Sequence, residues 1–441
     1  MTKEITVSRD NIDKHFSALE RIGNLGSNRE DGFLRASWSD EETAAFNYIA
    51  AQARDYGLEV KEDALGNMYI SMPGEFKEIV QVGSHLDTVP EGGNYDGATG
   101  IITGLEAIKA IMNSGKKISK GLELVVWRGE ESSTYSVVYK GSKAAFGILP
   151  PQSLDKSFRG QTLEQAILRQ DYDPEIIRKG KATLTQEDRD RIAAHIELHI
   201  EQGKVLEILK KDVGIVTSIR GPARYKILVS GEFDHSGATP MGTGYRKDAN
   251  LAIAYMQVRL NELVTKYNAR TCDLVQTIGI INTDSSTNEN YSEVYANALT
   301  KISGFGYFTL DIRSNSKREL EVYTADALTE IKAIGERFNV DVDIQSIGKS
   351  LPIESLSEHI QNTIEQSTSD LGYSSHYMPS GAGHDAAIIA KIKKSDGNFI
   401  DTGMIFVPHD GKSHCKEEYA NHDAIAKCAD VLAKTLYKLA K

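Results

Sequence analysis

His85, Asp87 and Asp96 fall within eighteen residues, GSHLDTVPEGGNYDGATG (83–100), that also hold five glycines. One imidazole and two carboxylates gathered at a strand end are donor types for a divalent metal. The preceding KEIVQV (77–82) reads as a strand entering the core. His85 and Asp87 therefore stand where that strand leaves it, and the two-residue period puts both side chains on one face. Glycines and Asn94 then let the chain fold back and carry Asp96 toward the same point. For a lone histidine the bland alternative is a polar loop with a capping aspartate, so partners elsewhere matter.

Four further clusters offer them. In LELVVWRGEES a strand ends in Glu130 and Glu131. Adjacent carboxylates there point in different directions, so one can bind metal while the other stays free as a base. Such a pair alone would otherwise be a solvated acidic turn. HIELHIEQG (195–203) alternates strictly, placing His195, Glu197, His199 and Glu201 on one strand face and apolar residues on the other. One of its two histidines can be structural. DHSGATPMGTGYRKDA (234–249) puts His235 between a strand and a Gly/Pro turn. SGAGHDA (380–386) surrounds His384 with small residues that permit close approach to a ligand, and VPHDGKSHCKEE (407–418) places His414 in a turn after the apolar strand MIFV.

The elements that must position these groups alternate between strand and helix. SDEETAAFNYIAAQARDYG reads as a helix with Ser39 and Glu42 in capping-box spacing. Strands follow at LEVKEDA, NMYISM, EIVQVGS and LELVVW, the pattern of an α/β domain with a largely buried sheet. From about 217 to 348 the order becomes strand-strand-helix-strand-strand-helix-strand, an α+β unit of its own. The simplest organisation is one α/β catalytic domain in two parts, 1–216 and 349–441, interrupted by an inserted α+β domain, 217–348. A chain of 441 residues is long enough for two domains. Its net charge of −11 argues against a nucleic-acid surface. Three scattered cysteines form neither a disulfide framework nor a thiolate zinc site. No signal segment or transmembrane-length run is present, so a cytoplasmic setting is expected.

The ordered set GSHLDTVPEGGNYDG, GEE, ELHIEQG, HSGATPM with RKDA, LDIRS, SGAGHDA and SH resembles the zinc-type amidohydrolases of the hydantoinase/carbamoylase family. That family includes N-carbamoyl-L-amino-acid hydrolases, β-ureidopropionases and allantoate amidohydrolases, within the wider aminoacylase and di-zinc exopeptidase group. The resemblance runs from about residue 15 to about residue 435. It implies a central mixed sheet flanked by helices, an inserted lid that also dimerises, and two divalent metal ions per protomer. Zinc is the family's usual metal, and the same ligand types suit manganese, cobalt or nickel. By the resemblance Asp96 bridges the metals, His85 and His199 complete one ligand set, and Glu131 with His414 the other. His195 then reverts to a structural role. Glu130 becomes the catalytic base and Asp87 the group that fixes the His85 ring. His235 reaches the neighbouring site of a homodimer, Arg313 grips a substrate carboxylate with help from Gln202, and His384 is a further substrate contact.

The chemistry implied is hydrolysis of an amide or ureido C–N bond in a small carboxylate-bearing substrate, such as an N-carbamoyl amino acid or allantoate. Two positions depart from the family pattern: Thr134 stands where relatives carry Arg, and Thr300 where they carry a substrate-binding Asn. The nearest rival reading is an aminoacylase or dipeptidase on the same scaffold. A non-catalytic binding protein is a third, against which Glu130 speaks, since a base has no use there.

Overall fold

The runs Ile79–His85, Gly121–Trp127, Ile192–Ile200 and Asp401–Val407 are buried almost throughout, as strands covered on both faces must be. In the computed structural model, which describes residues 3–26, 28–283, 300–409 and 411–441, they lie side by side and parallel. Their order is 121–127, 79–85, 192–200, 401–407. Antiparallel strands Met68–Ser71 and Glu59–Glu62 extend one edge. Val213–Ile219, antiparallel to its neighbour, and Ser375–Ser380 extend the other, giving eight strands.

Strand 192–200 shows how the sheet is filled. Ala194, Ile196, Leu198 and Ile200 join the main core with helices Ala98–Ser114 and His422–Ala440. His195, Glu197 and His199 turn to the opposite face. Alternation of this kind does not say what covers a polar face, and none of the three is more than 1% exposed. The short helix Ala386–Ile389 packs on that side; Glu197 accepts the Ala386 N–H there, His195 bonds Gln81 on the neighbouring strand, and His199 reaches the strand end.

Helix Asp40–Asp55 begins at Ser39, whose hydroxyl accepts the Glu42 N–H at 3.1 Å. The reciprocal half of a capping box is absent, because the Ser39 N–H goes to the Ala36 carbonyl. Glu42 is instead buried, accepting from Trp38 N–H at 2.6 Å, Gly129 N–H at 2.9 Å and Arg128 Nη1 at 2.9 Å. Breaking such a buried pair costs ~3–5 kcal/mol. It therefore fixes the chain just beyond strand 121–127.

By internal contacts the chain divides into residues 1–217 with 355–441, and 218–354. The second division falls beyond the expected 348. Strand Asp341–Lys349 runs antiparallel to Gly221–Ser230, and the chain after it still pairs with that region, Ser350 N–H on the Pro222 carbonyl and Ile353 opposite Ile219. The smaller unit is an antiparallel sheet in the order Leu274–Thr277, Phe305–Ser314, Gly221–Ser230, Asp341–Lys349. Helices Ala249–Asn268 and Lys317–Arg337 supply its core from one face. Along Phe305–Ser314 every second residue is buried, the signature of a half-covered sheet. No helix among the described residues is long and apolar enough to cross a membrane.

Candidate metal centre

The C-terminal ends of the four parallel strands deliver one cluster. His85 ends the first, Glu130 and Glu131 follow Gly121–Trp127, His199 is the last residue but one of Ile192–Ile200, and the loop after Asp401–Val407 carries His414. Asp96 sits at their centre. Its Oδ1 lies 3.3 Å from His85 Nε2 and 3.1 Å from His199 Nε2. Its Oδ2 lies 3.5 Å from His414 Nε2, which is also 3.3 Å from Glu131 Oε1. Two groups, His85–Asp96–His199 and Asp96–Glu131–His414, thus share one carboxylate.

The ring tautomers fit a cation. His85 Nδ1 lies 3.1 Å from the Asp87 carbonyl and 3.2 Å from Asp87 Oδ1, and His199 Nδ1 lies 2.9 Å from the Ile200 carbonyl. A ring nitrogen against such oxygens carries the hydrogen, so both neutral rings present bare Nε2 lone pairs to Asp96. Gly97 N–H donates to His199 Nε2 at 3.1 Å, which requires the same tautomer. Two ring lone pairs turned toward one carboxylate are a metal's donor set, oriented from behind as ligating histidines are. The carboxylate charge shows in the proton affinities. Burial opposes protonation of His85 and His199, but Asp87 and Asp96 raise the first well above its ordinary value, and Asp96 raises the second. His414 is raised to about 9 by its hydrogen bond to Asp96. Against its own burial, Asp96 is held well below the carboxylate range by His199.

Glu130 and Glu131 do point differently. Glu131 faces His414 and is pushed up to about 7 by burial and by the Asp96 charge. Among the described residues the Glu130 carboxylate has no hydrogen-bond partner, and burial with Glu131, Asp385 and Asp87 raises it well above its ordinary value. Asp87 anchors both: Oδ1 accepts the Glu130 N–H at 2.9 Å and Oδ2 the Glu131 N–H at 3.1 Å, with the Ser37 hydroxyl at 3.2 Å. The turn in 86–97 uses its glycines differently from the expectation. The positive φ falls to Glu91 and Gly97, while Gly92 and Gly93 serve close approach. A Cβ at Gly97 would lie 2.5 Å from the His85 ring.

Other expected positions divide. Gln202 Nε2 donates to Asp96 Oδ2 at 2.6 Å, putting it beside the cluster. His384 is buried against His199, ring centroids 4.5 Å apart, and shares a 2.9 Å hydrogen bond with Ser380 Oγ. His195 lies away from the cluster, its Nδ1 bonded to Gln81 Oε1 at 2.9 Å, and burial lowers it to about 3. Thr134 is buried, its hydroxyl 2.9 Å from that of Ser37. In the smaller unit His235 is exposed, its Nδ1 accepting from the Gly237 and Ala238 amides at 3.1 and 3.0 Å. There too Arg313 pairs with Asp311 at 2.9 Å, and the Thr300 carbonyl accepts the Ser236 N–H.

Sequence reasoning did not single out several supporting groups. Lys140 Nζ, buried, donates to the Glu131 and Val137 carbonyls at 2.7 and 2.8 Å. Asp385 is bonded by the Ser142 hydroxyl. Glu197, named from the sequence only as a member of the strand's polar face, accepts from Ser84 Oγ at 2.9 Å and from the Ala386 N–H at 2.8 Å. Glu418 accepts the Asp96 N–H at 3.0 Å. For Asp385 and Glu418 the available signal was adjacency to His384 and proximity to His414.

The family model for peptidase family M20/M25/M40 matches residues 82–438. An N-carbamoyl-L-amino acid amidohydrolase of Geobacillus stearothermophilus is 32% identical over 96% of this chain and 97% of that protein. An allantoate amidohydrolase of Bacillus subtilis is 30% identical over 96% of each. A crystal structure of an amidase of the hydantoinase/carbamoylase family from Burkholderia multivorans superposes with a TM-score of 0.85 at 26% identity, covering 99% of this chain and 98% of that one. The chain belongs to peptidase family M20/M25/M40 and is a metal-dependent hydrolase.

Proposed function

We propose that this amidohydrolase cleaves the ureido or amide C–N bond of a small carboxylate-bearing substrate, an N-carbamoyl amino acid or an allantoate-like compound. The observation that carries the reading is Asp96, one carboxylate facing two ligand groups, with Glu130, whose carboxylate has no hydrogen-bond partner among the described residues, close enough to His85 and Glu131 to feel their charges. His85, Asp96 and His199 would hold one divalent metal, and Asp96, Glu131 and His414 a second, zinc or one of its near equivalents. Such metals supply Lewis acidity and lower the pKa of water from 15.7 to roughly 7. Glu130 takes a proton from the attacking water and returns it to the leaving nitrogen, a role worth ~10²–10⁴ in rate. Asp87 keeps Glu130 and Glu131 in place through their backbone amides.

The smaller unit contributes the substrate contacts. His235, with Nδ1 occupied by two amide donors, carries its hydrogen on Nε2 and donates it to the developing oxyanion. It does so in the active site of a partner copy, which makes the working unit a homodimer. Arg313 binds the substrate carboxylate bidentately, with Asp311 orienting the guanidinium. Gln202 and His384, in the larger unit, are further substrate contacts, and Thr300 is shorter than an asparagine and offers a hydroxyl instead of an amide. Three free cysteines agree with a cytoplasmic setting.

The test is a substrate panel. Ammonia release from N-carbamoyl amino acids, allantoate and ureido acids is measured against amine release from N-acyl amino acids and dipeptides. Ammonia from ureido substrates at the higher kcat/KM is the expected outcome. A preference for acyl amino acids or dipeptides would refute the ureido assignment.

A further inference from the structure

Glu418 is completely buried, and its two oxygens serve two different segments. Oε1 accepts the backbone N–H groups of Tyr95 and Asp96, each at 3.0 Å. Oε2 accepts the His414 N–H at 3.3 Å and lies 3.1 Å from the Ser413 hydroxyl. That hydroxyl is also 3.2 Å from Asp96 Oδ2, and its single hydrogen serves one acceptor at a time. Gly93 makes room for the carboxylate, since a Cβ there would lie 2.4 Å from Glu418 Oε1. His414 itself needs holding. Its φ of +57° is a strained region for a residue with a side chain, and that side chain is 50% exposed, so packing restrains it little.

We infer that Glu418 is a positioning residue for one half of the metal centre: it ties the 413–414 backbone to the Tyr95–Asp96 backbone and so sets His414 against Asp96 Oδ2 and Glu131. The inference rests on the ligand assignment proposed above. Asp96 belongs to both ligand groups, but the bonds to the His414 N–H and the Ser413 hydroxyl hold the 413–414 backbone, so weakening those two should leave the His85–Asp96–His199 group its metal.

Glu418→Gln is the informative variant. Its amide retains one oxygen for the Tyr95 and Asp96 amides but turns an NH₂ toward the His414 N–H. The full-length protein, the variant and a His414→Ala control are loaded with zinc, and two dissociation constants are measured by chelator competition. Melting of the metal-free forms is recorded alongside. Glu418→Gln should weaken one zinc tenfold or more and leave the other within twofold; metal-free melting falls as well, since these bonds exist without metal, and the difference between the two zincs carries the test. Ser413→Ala, a smaller change that serves if the first variant does not fold, should weaken the same zinc about tenfold, as loss of one hydrogen bond to a carboxylate does. Constants within twofold of the unaltered protein, or equal weakening of both zincs, overturn the inference. If His414→Ala loses a zinc and Glu418→Gln does not, only the role of Glu418 falls. If the unaltered protein binds fewer than two zincs, or His414→Ala changes neither constant, the ligand assignment falls, and the role of Glu418 with it.

Discussion

Asp87→Asn probes the joint between the base and the metal ligands. The carboxylate accepts Glu130 N–H on one oxygen and Glu131 N–H on the other, at 2.9 and 3.1 Å, and is buried. An amide offers one oxygen, so in either orientation one of these N–H groups meets an NH₂ instead. Loss of a hydrogen bond to a charged group costs ~1.5–3 kcal/mol, and 1.4 kcal/mol corresponds to about tenfold. The cost is shared between fold and site, because the bond exists with or without metal. The His85 tautomer survives, since the Asp87 backbone carbonyl still accepts from Nδ1 at 3.1 Å. The expected result is a loss of about ten- to a hundredfold in metal affinity, the range for a group bonded behind a ligand, with a measurable fall in urea stability. Chelator competition and urea titration check both. Metal affinity and turnover within threefold of the unaltered enzyme would refute the anchoring role of Asp87.

Three further outcomes follow from single residues. Gly97→Ala places a Cβ 2.5 Å from the His85 ring at φ +67°, so metal content after dialysis should fall; full retention would show that the ring can give way. His195 is lowered to about 3 by burial, so its neutral form contributes stability above the unfolded pKa of ~6.5 that is lost as pH falls toward 3. At ~1.4 kcal/mol per unit, His195→Gln should remove about 2 kcal/mol of the stability difference between pH 6.5 and pH 5, and an unchanged slope in urea titrations contradicts this. Arg313→Lys should lower kcat/KM by about ten- to a hundredfold through loss of bidentate carboxylate binding; an unchanged value removes Arg313 from the substrate site.

The strand ends were legible because hydrophobic periodicity marks where a strand stops, and His85, Glu130, Glu131 and His199 sit at such stops. What periodicity does not carry is the choice of partner. Glu42 has capping-box spacing, yet Arg128 and the Gly129 amide claim its carboxylate. Glu91, not a glycine, takes a positive φ in the turn before Asp96. The polar face of strand 192–200 is buried, which the alternation alone does not tell, since a period of two says which residues share a face but not what covers it. Glu418 meets the Tyr95 and Asp96 amides, and Asp385 the Ser142 hydroxyl, through tertiary hydrogen bonds that no local pattern encodes.

The most direct test of the account is Glu130→Gln, assayed for metal content and turnover on the same sample. The expected result is two metals per protomer and a kcat reduced by at least ~10², because Glu130 moves the proton and lies outside both ligand groups. Activity within tenfold of the unaltered enzyme, or a loss of activity accompanied by loss of metal, would contradict it.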